Sequence, residues 1–228
     1  MPSAVRLRRK GTHRLIPSRY PPTGILDRIA DPADLETVFE LEGWTNDRIS
    51  VEVGLLHSIP REEWVVGRAM ASVVMAAYCH PHPAGGRFNG SDRGAWYAAV
   101  SIDTAHAEAA YHRGAELAEI GVLETRLEMR EYLADFDTVF HDVRAAGRAY
   151  AKLHDPADYS ASRALASDLL RAGSNGIAYR SVRHPGGECL ACFRPRLVRN
   201  ARVGAHFEYR FEGTAKPAIR RLRGRAAV

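Results

Sequence analysis

The sequence predicts an α+β fold, and two observations carry that prediction. Segments with helical and strand patterning are interspersed along the 228 residues, but they lack the regular β-α-β order that produces a parallel sheet. Hydrophobic residues make up 46% of the chain and charged residues 26%, so the chain can bury a sizeable core. We therefore expect one mixed β-core flanked by helices.

The N-terminal third is predicted to be mostly helical after a basic terminus. Residues 1–12 carry four basic side chains and no apolar segment follows them, so we expect a disordered terminus and no secretory signal. Asp31 is a typical N-cap for a helix, and a second helical segment is predicted over 47–56. Residues 69–78 are apolar on all sides, which favours a buried helix, although two β-branched valines leave a strand open.

The central part alternates between loops, strands and one long helix. In order, the prediction gives a loop over 80–94, a strand over 95–100, a helix over 101–121, and strands over 123–132 and 136–140. Ser101 is the expected N-cap of the helix, because its hydroxyl can accept a hydrogen bond from a free backbone N–H. Apolar and charged residues alternate between 123 and 132, which is typical of a half-buried strand.

The C-terminal part is predicted to end in strands and a basic tail. The expected elements are helices over 142–153 and 160–172 (capped by Ser160), core strands over 176–179 and 188–194, an edge strand over 207–211, and a tail over 213–228. The net charge of +5 is concentrated at the two termini, and such ends can contact nucleic acid electrostatically. The rest of the chain has no basic stripe with interleaved aromatics, so direct nucleic-acid binding is not expected.

Three cysteines give an odd count and no disulfide framework, which is typical of a reducing cytoplasm. Cys189 and Cys192 form a CxxC pair, and His80 and His82 could supply the second pair of ligands that a zinc site needs, but their Cys-His-Pro-His-Pro context is not a known ligand loop, so we interpret the two cysteines as small strand residues. A thiol or metal hydrolase built on these two cysteines and His184 is the alternative. No apolar run approaches the ~20 residues that span a bilayer, so no membrane association is expected.

Four polar residues in three separate segments are candidates for chemistry. Arg87 lies in a glycine-rich loop that lets the backbone approach a ligand, or it is a solvated turn arginine. Glu108 is surrounded by alanines on the predicted helix, and His112 shares its face four residues later; an exposed helix glutamate is the alternative. Ser181 lacks a Gly-x-Ser-x-Gly context, so it is a ligand-binding or carboxylate-orienting hydroxyl, or an ordinary turn serine.

Taken together, these segments resemble the RES-domain family, which is named for an arginine, a glutamate and a serine. The resemblance extends over about 13–211 and rests on these stretches: Arg-Leu-Ile-Pro at 14–17, Gly-Gly-Arg-Phe-Asn at 85–89, Trp-Tyr-Ala-Ala at 96–99, Ala-Glu-x-x-Tyr-His at 107–112, and Ser-Asn-Gly-Ile-Ala-Tyr-Arg-Ser-Val-Arg-x-Pro-Gly-Gly at 174–187. It implies an ADP-ribosyltransferase-like domain over 13–212, here with a helical insertion over 24–75.

The resemblance also implies a function and a set of site residues. The chain would be an NAD+-consuming toxin that needs no cofactor, with NAD+ as substrate, an Xre-type helix-turn-helix antitoxin as partner and a homodimer as its assembly. The implied catalytic residues are Glu108, Arg87 and Ser181, and the implied substrate-binding residues are Arg14 or Arg19, Tyr97 and His112. A non-catalytic basic protein that binds nucleic acid or a partner is the alternative.

Overall fold

The computed structural model describes residues 1–20, 24–28, 56–145, 147 and 150–223, and in them it shows a mixed seven-stranded sheet with helices against it. The strands are β1 (Ser3–Pro17), β2 (Trp96–Ala99), β3 (Glu124–Asp142), β4 (Gly176–Arg180), β5 (Glu188–Cys192), β6 (Arg199–Glu212) and β7 (Ala218–Leu222). The α-helices are α1 (Ala71–Cys79), α2 (Ile102–Glu119) and α3 (Ser160–Arg171). The predicted α+β class is confirmed.

The sheet closes on itself at one end and is open at the other. Its strand order is β1-β2-β5-β4-β3-β6-β7, and β1 also pairs with β3. The first five strands of that order therefore form a ring, and β6 and β7 extend from β3 as an open wing. The β3–β4 pairing is parallel, whereas the other pairings are antiparallel.

The basic N-terminus belongs to the sheet, so the predicted disorder of residues 1–12 is wrong. Strand β1 pairs with β3 from Ser3 opposite Asp142 onward. Leu7 is buried, and both Arg6 and Arg8 form ion pairs with Asp137 on β3, at 2.9 and 3.1 Å. The acidic partner comes from a distant part of the chain, which explains why the local charge run suggested a solvated tail.

The two strands predicted over 123–132 and 136–140 are one continuous strand, β3. The register of β3 against β6 shifts between Arg130 and Tyr132 and again between Leu133 and Asp135. Such bulges let the strand continue through residues 133–135, where the alternating pattern suggested a break. The helix predicted over 142–153 is also wrong. Strand β3 runs to Asp142, and the described helical part of that segment is the 3-10 turn Ala151–His154.

The predicted basic tail is partly structured. Its residues 218–222 form β7, which pairs with β6, so the strand predicted at the sheet edge over 207–211 lies inside the sheet. The N-cap of α3 is Tyr159, not Ser160, and Tyr159 makes no side-chain cap. Of the predicted insertion, the described residues contain 3-10 turns at Ile25–Asp27, Leu56–Ser58 and Arg61–Glu63 and the start of α1. The helix predicted from Asp31 and residues 47–55 of the helix predicted over 47–56 lie outside the described residues.

Hydrophobic clusters cover both faces of the sheet and fix the helices. Helix α1 is buried, as predicted, and packs with Trp96, Tyr132 and Phe140 in the largest cluster. Helix α2 packs on the wing, where Leu117 contacts the cluster of Phe207, Tyr209 and Phe211. In the described part of the chain no helix is both long and apolar enough to cross a membrane.

Candidate active site

A cavity of about 540 Å³ is enclosed by strands β1, β2, β4 and β5, by one face of α2, and by the glycine-rich loop between α1 and β2. That volume is typical of a small-molecule site. Of the predicted site residues, the cavity is lined by Arg14, Arg87, Tyr97, Glu108 and His112. These residues are up to about a hundred positions apart in the chain, and the fold brings them to one place.

Ser181 joins this group through Glu108. Its Oγ donates a hydrogen bond of 2.6 Å to Glu108 Oε1, and it accepts bonds from the backbone N–H groups of Arg183 and His184 at 3.1 and 3.0 Å. Because the lone pairs of the hydroxyl receive two N–H donors, its single hydrogen is directed at the carboxylate. Ser181 is buried, and the Glu108 side chain is 24% exposed toward the cavity.

The local sequence explains why these two side chains meet. Ser101 caps α2 by accepting a hydrogen bond from the Thr104 N–H at 3.3 Å, which confirms its predicted role. The turn between β4 and β5 packs against the same end of the helix, where Thr104 Oγ1 lies 2.8 Å from His184 Nδ1. A Cβ at Gly187 would lie 2.6 Å from Thr104 Oγ1, so the glycine permits this close approach.

Arg87 is buried, and its guanidinium is held without a carboxylate. Its Nη1 donates to the backbone oxygens of Leu153 and Asp155 at 3.1 and 2.7 Å. Its Cζ lies 4.3 Å from the ring centroid of Tyr159, a cation–π contact. No carboxylate among the described residues forms an ion pair with Arg87, so its charge remains available to an anionic ligand.

Tyr97 fixes the loop that carries Arg87. Its hydroxyl donates to Asn89 Oδ1 at 2.7 Å and accepts from the Phe88 N–H at 2.8 Å. Burial raises the pKa of this hydroxyl well above its ordinary value, so it stays protonated. The ring lines the cavity, and its stacking on a ligand ring remains a prediction.

His112 lies one turn beyond Glu108 on α2, with its Nε2 4.0 Å from Glu108 Oε2. The side chain of His112 is 49% exposed, and partial desolvation beside the cavity, together with the charges of Arg113, Arg183 and Arg87, lowers its pKa to about 4. The imidazole is therefore neutral at pH 7, and it does not offset the negative charge of Glu108.

The two alternative N-terminal arginines are separated by the structure. Arg14 lines the cavity, donates to the Tyr97 backbone oxygen at 3.3 Å and lies over the Trp96 ring at 5.0 Å. Burial lowers its pKa from the usual arginine value. Arg19 follows the end of β1, is exposed, and contacts its neighbour Tyr20. Of the two arginines, Arg14 lines the cavity and Arg19 does not, and a role of Arg14 in substrate binding stays a prediction.

Comparison with known protein families assigns the chain to one family. The sequence model of the RES domain matches residues 55–212, which is more than half of the chain. The chain belongs to the RES domain family. The RES match includes Arg87, Tyr97, Glu108 and Ser181, whereas β1, with Arg14, lies outside it.

Individual proteins show more distant similarity. The uncharacterized protein y4oC of Sinorhizobium fredii (strain NBRC 101917 / NGR234) is 27% identical over 205 residues, which cover 89% of this chain and 83% of that protein. Among solved structures, a chain of the M. tuberculosis MbcT–MbcA toxin–antitoxin complex is similar with a TM-score of 0.43 and 17% identity, over 55% of this chain and 72% of that chain. A likeness at that level assigns no activity here.

The RES cavity has further wall residues that the sequence did not single out. Tyr159, which stacks on Arg87, and Tyr179, which packs edge-on against Phe88 at 4.8 Å, both line it. Tyr179 follows an apolar run in β4, and its hydroxyl was the sequence feature that could have marked it as a cavity residue. Tyr159 directly precedes α3, and from the sequence a residue at that position is considered only as a helix cap. Its place in the cavity wall could not be predicted in this way.

The three cysteines of this RES domain are buried inside the fold. All three are buried and free, and burial raises the pKa of Cys192 to about 11, so it stays a thiol. The pKa of Cys189 is raised still further by burial and by the charge of Glu108. No group of three or more metal-ligating side chains occurs in the described ranges. These observations oppose a thiolate nucleophile, and Cys189 and Cys192 are buried residues of β5, as the sequence predicted.

Proposed function

We propose that this RES domain cleaves the nicotinamide–ribose bond of NAD+ and consumes NAD+ as a substrate. The observation that carries the proposal is the hydrogen-bonded pair of Ser181 and Glu108 at the wall of a cavity that also contains Arg14 and Arg87. One oriented carboxylate and two guanidinium groups match a ligand that has a reacting ribose and a pyrophosphate.

Glu108 supplies the electrostatic part of this reaction. Cleavage of the glycosidic bond passes through an oxocarbenium-like state in which positive charge develops on the ribose. A carboxylate already held in place stabilises that charge without reorganising. Nicotinamide is cationic while attached and neutral when it leaves, so departure needs no general acid. A single carboxylate is therefore sufficient, and Ser181 acts as its positioning residue.

The arginines supply the binding part. Guanidinium groups bind phosphate oxygens through two parallel hydrogen bonds, and such charge-assisted bonds are stronger than neutral ones. Arg87 reaches the cavity from the glycine-rich loop and Arg14 from β1, so the two approach a bound pyrophosphate from different walls. The acceptor of the ADP-ribosyl group is water, phosphate or a protein side chain, depending on which group reaches the anomeric carbon.

The same proposal includes a biological setting that rests on the family resemblance. The chain acts as the toxin of a toxin–antitoxin pair, and an Xre-type helix-turn-helix protein neutralises it. Homodimerisation belongs to the same expectation. Co-expression with a candidate antitoxin should restore growth of cells that are arrested by this chain, and continued arrest would contradict the pairing.

The enzymatic proposal is tested by incubating the purified protein with NAD+, with and without phosphate, and identifying the products by mass spectrometry. Wild type should release nicotinamide, whereas Glu108→Gln should lose at least about a hundredfold in rate, as expected for removing a charge-stabilising group. Glu62→Gln, at an exposed residue outside the cavity, is the matched control and should keep wild-type turnover. Full turnover by Glu108→Gln would refute the mechanism.

A further inference from the structure

The start of helix α3 contacts Arg87 at both of its ends. Tyr159 and Arg163 lie four positions apart there, and the Arg163 N–H donates to the Tyr159 backbone oxygen at 2.9 Å. Arg163 Nε donates to the backbone oxygen of Gly86 at 2.9 Å, directly before Arg87 in the glycine-rich loop. The Tyr159 ring contacts the other end of Arg87, whose Cζ lies 4.3 Å from the ring centroid. One helical turn therefore fixes both the backbone and the guanidinium of Arg87.

The ring of Tyr159 contacts two guanidinium groups. The Cζ of Arg163 lies 5.7 Å from the ring centroid, in addition to that of Arg87. The negative face of an aromatic ring attracts a cation within about 6 Å of its centroid. Among the residues that the structure describes, no carboxylate forms an ion pair with either arginine. The ring and backbone oxygens hold both groups instead.

The segment that leads into Tyr159 is fixed by its own carboxylates. Asp155 Oδ1 accepts hydrogen bonds from the N–H groups two and three residues later, at 2.8 and 2.7 Å. Asp158 Oδ1 in turn accepts from the N–H of Ser160 at 2.8 Å. The backbone oxygen of Asp155 that binds Arg87 and the ring of Tyr159 thus belong to one stretch closed by two successive turns.

This way of holding Arg87 leaves its charge available to a ligand. Its two hydrogen bonds, to the backbone oxygens of Leu153 and Asp155, both start from Nη1. Backbone oxygens and an aromatic ring orient a guanidinium but carry no net charge, whereas a carboxylate would compete with an anionic ligand. A side chain that is already ordered also loses less conformational entropy when it binds. The geometry is therefore that of a preorganised anion-binding group.

We propose that Tyr159, anchored by Arg163, is a positioning residue for Arg87 and sets the affinity of the cavity for the anionic part of the substrate. The inference rests on the proposed function, in which that part is the pyrophosphate of NAD+. Because the pyrophosphate does not react, Arg87 binds it equally in the bound substrate and in the transition state. Loss of the positioning should therefore weaken substrate binding and leave the chemical step unchanged.

The test measures kcat and KM for nicotinamide release and, with Glu108→Gln as the non-reacting form, the Kd of NAD+ by calorimetry. Tyr159→Leu should raise KM and Kd roughly tenfold, as for a lost cation–π contact, and change kcat by less than about twofold. Tyr159→Phe retains the ring and should restore both constants to within about twofold of wild type. Tyr20→Leu is the matched control, because Tyr20 contacts Arg19 at 5.0 Å without lining the cavity.

A double-mutant cycle with Arg87→Met separates positioning from direct contact, since the Tyr159 ring itself lines the cavity. If Tyr159 acts through Arg87, Tyr159→Leu should change the Kd by less than about twofold once Arg87 is replaced. Arg163→Met removes the anchor and keeps the ring, so it should raise the Kd roughly threefold, and only while Arg87 is present. Equal losses of affinity in both backgrounds would overturn the positioning role.

The outcomes separate this inference from the proposed function. If wild type releases nicotinamide but Tyr159→Leu keeps the wild-type Kd, the role of Tyr159 is refuted and the reaction stands. If wild type neither binds nor turns over NAD+, the proposed function fails and this inference fails with it. Thermal melting identifies a variant that has not folded. Should Tyr159→Leu be such a variant, the cycle of Arg163→Met with Arg87→Met decides by the same criterion.

Discussion

Replacing Ser181 by alanine is the sharpest test of how the site is built. The change removes the hydrogen bond to Glu108 Oε1 and also the acceptor of the Arg183 and His184 N–H groups. Glu108 keeps its charge but loses the contact that fixes its direction. We therefore expect the variant to lose transition-state stabilisation while the cavity and its arginines remain.

The magnitude follows from the kind of hydrogen bond. A bond to a charged group contributes about 1.5–3 kcal/mol, and this one is short and largely shielded from solvent. If all of it acts in the transition state, kcat/KM falls roughly 10- to 150-fold. The two N–H groups of the turn lose a partner as well, so the free energy of unfolding should decrease by about 1–2 kcal/mol.

The assay is a double-mutant cycle on nicotinamide release. Ser181→Ala is measured in the wild-type background and again in Glu108→Gln, with urea unfolding of all four proteins. If Ser181 works through Glu108, its replacement costs little in the second background, because the group that it positions is already disabled. Equal losses in both backgrounds would show that Ser181 contacts the substrate directly. Ser181→Thr, which retains the hydroxyl, should recover most of the activity.

The remaining predictions concern stability. His112 has a folded pKa of about 4, below its unfolded value of about 6.5, so the unfolded chain binds more protons between these pH values. The contribution of neutral His112 to the free energy of unfolding is complete above pH 6.5 and is lost as the pH falls toward 4. Wild type should therefore lose more stability than His112→Gln between pH 7 and pH 5, as measured by urea unfolding. An equal loss in the two proteins would contradict the low pKa of His112. At Gly114, an added Cβ would lie 2.0 Å from the Ala215 oxygen. Gly114→Ala should thus destabilise by about 1–3 kcal/mol despite the better helix propensity of alanine, and a higher melting temperature would refute the contact.

The sequence predicted those elements whose pattern and end signals are local. Helix α2 shows this, since Ser101 both precedes and caps it. The loop before β2 and the strands around 177 and 190 follow from glycine, proline and apolar runs in the same way. Local signals failed at the chain ends, because pairing with β3 and β6 decides whether a basic segment forms a strand. Tertiary pairing overrides charge patterning there.

The candidate site was predicted in part for a similar reason. Arg87, Glu108 and Ser181 could be nominated from residue type and from the resemblance, but the hydrogen bond between the last two depends on the turn packed against α2. His13 of the cavity wall and its hydrogen-bond partner Glu131 are 118 positions apart, and neither is unusual in its own segment. Only the register of β1 against β3 joins them. Pairs formed across strands are thus invisible to a reading along the chain.

Helix α2 links stability of the wing to chemistry in the cavity, because its two faces serve different parts of the fold. One face carries Glu108 and His112 into the cavity. The other face packs on β6, where His106 Nδ1 lies 2.7 Å from the Tyr209 hydroxyl, and receives the β6–β7 turn at Gly114. Strand β7 covers the edge of β6 and lies outside the matched RES segment. A truncation before residue 214 would therefore remove a support of the helix that holds the carboxylate, and loss of activity in such a truncation would report on this support and not on a basic tail.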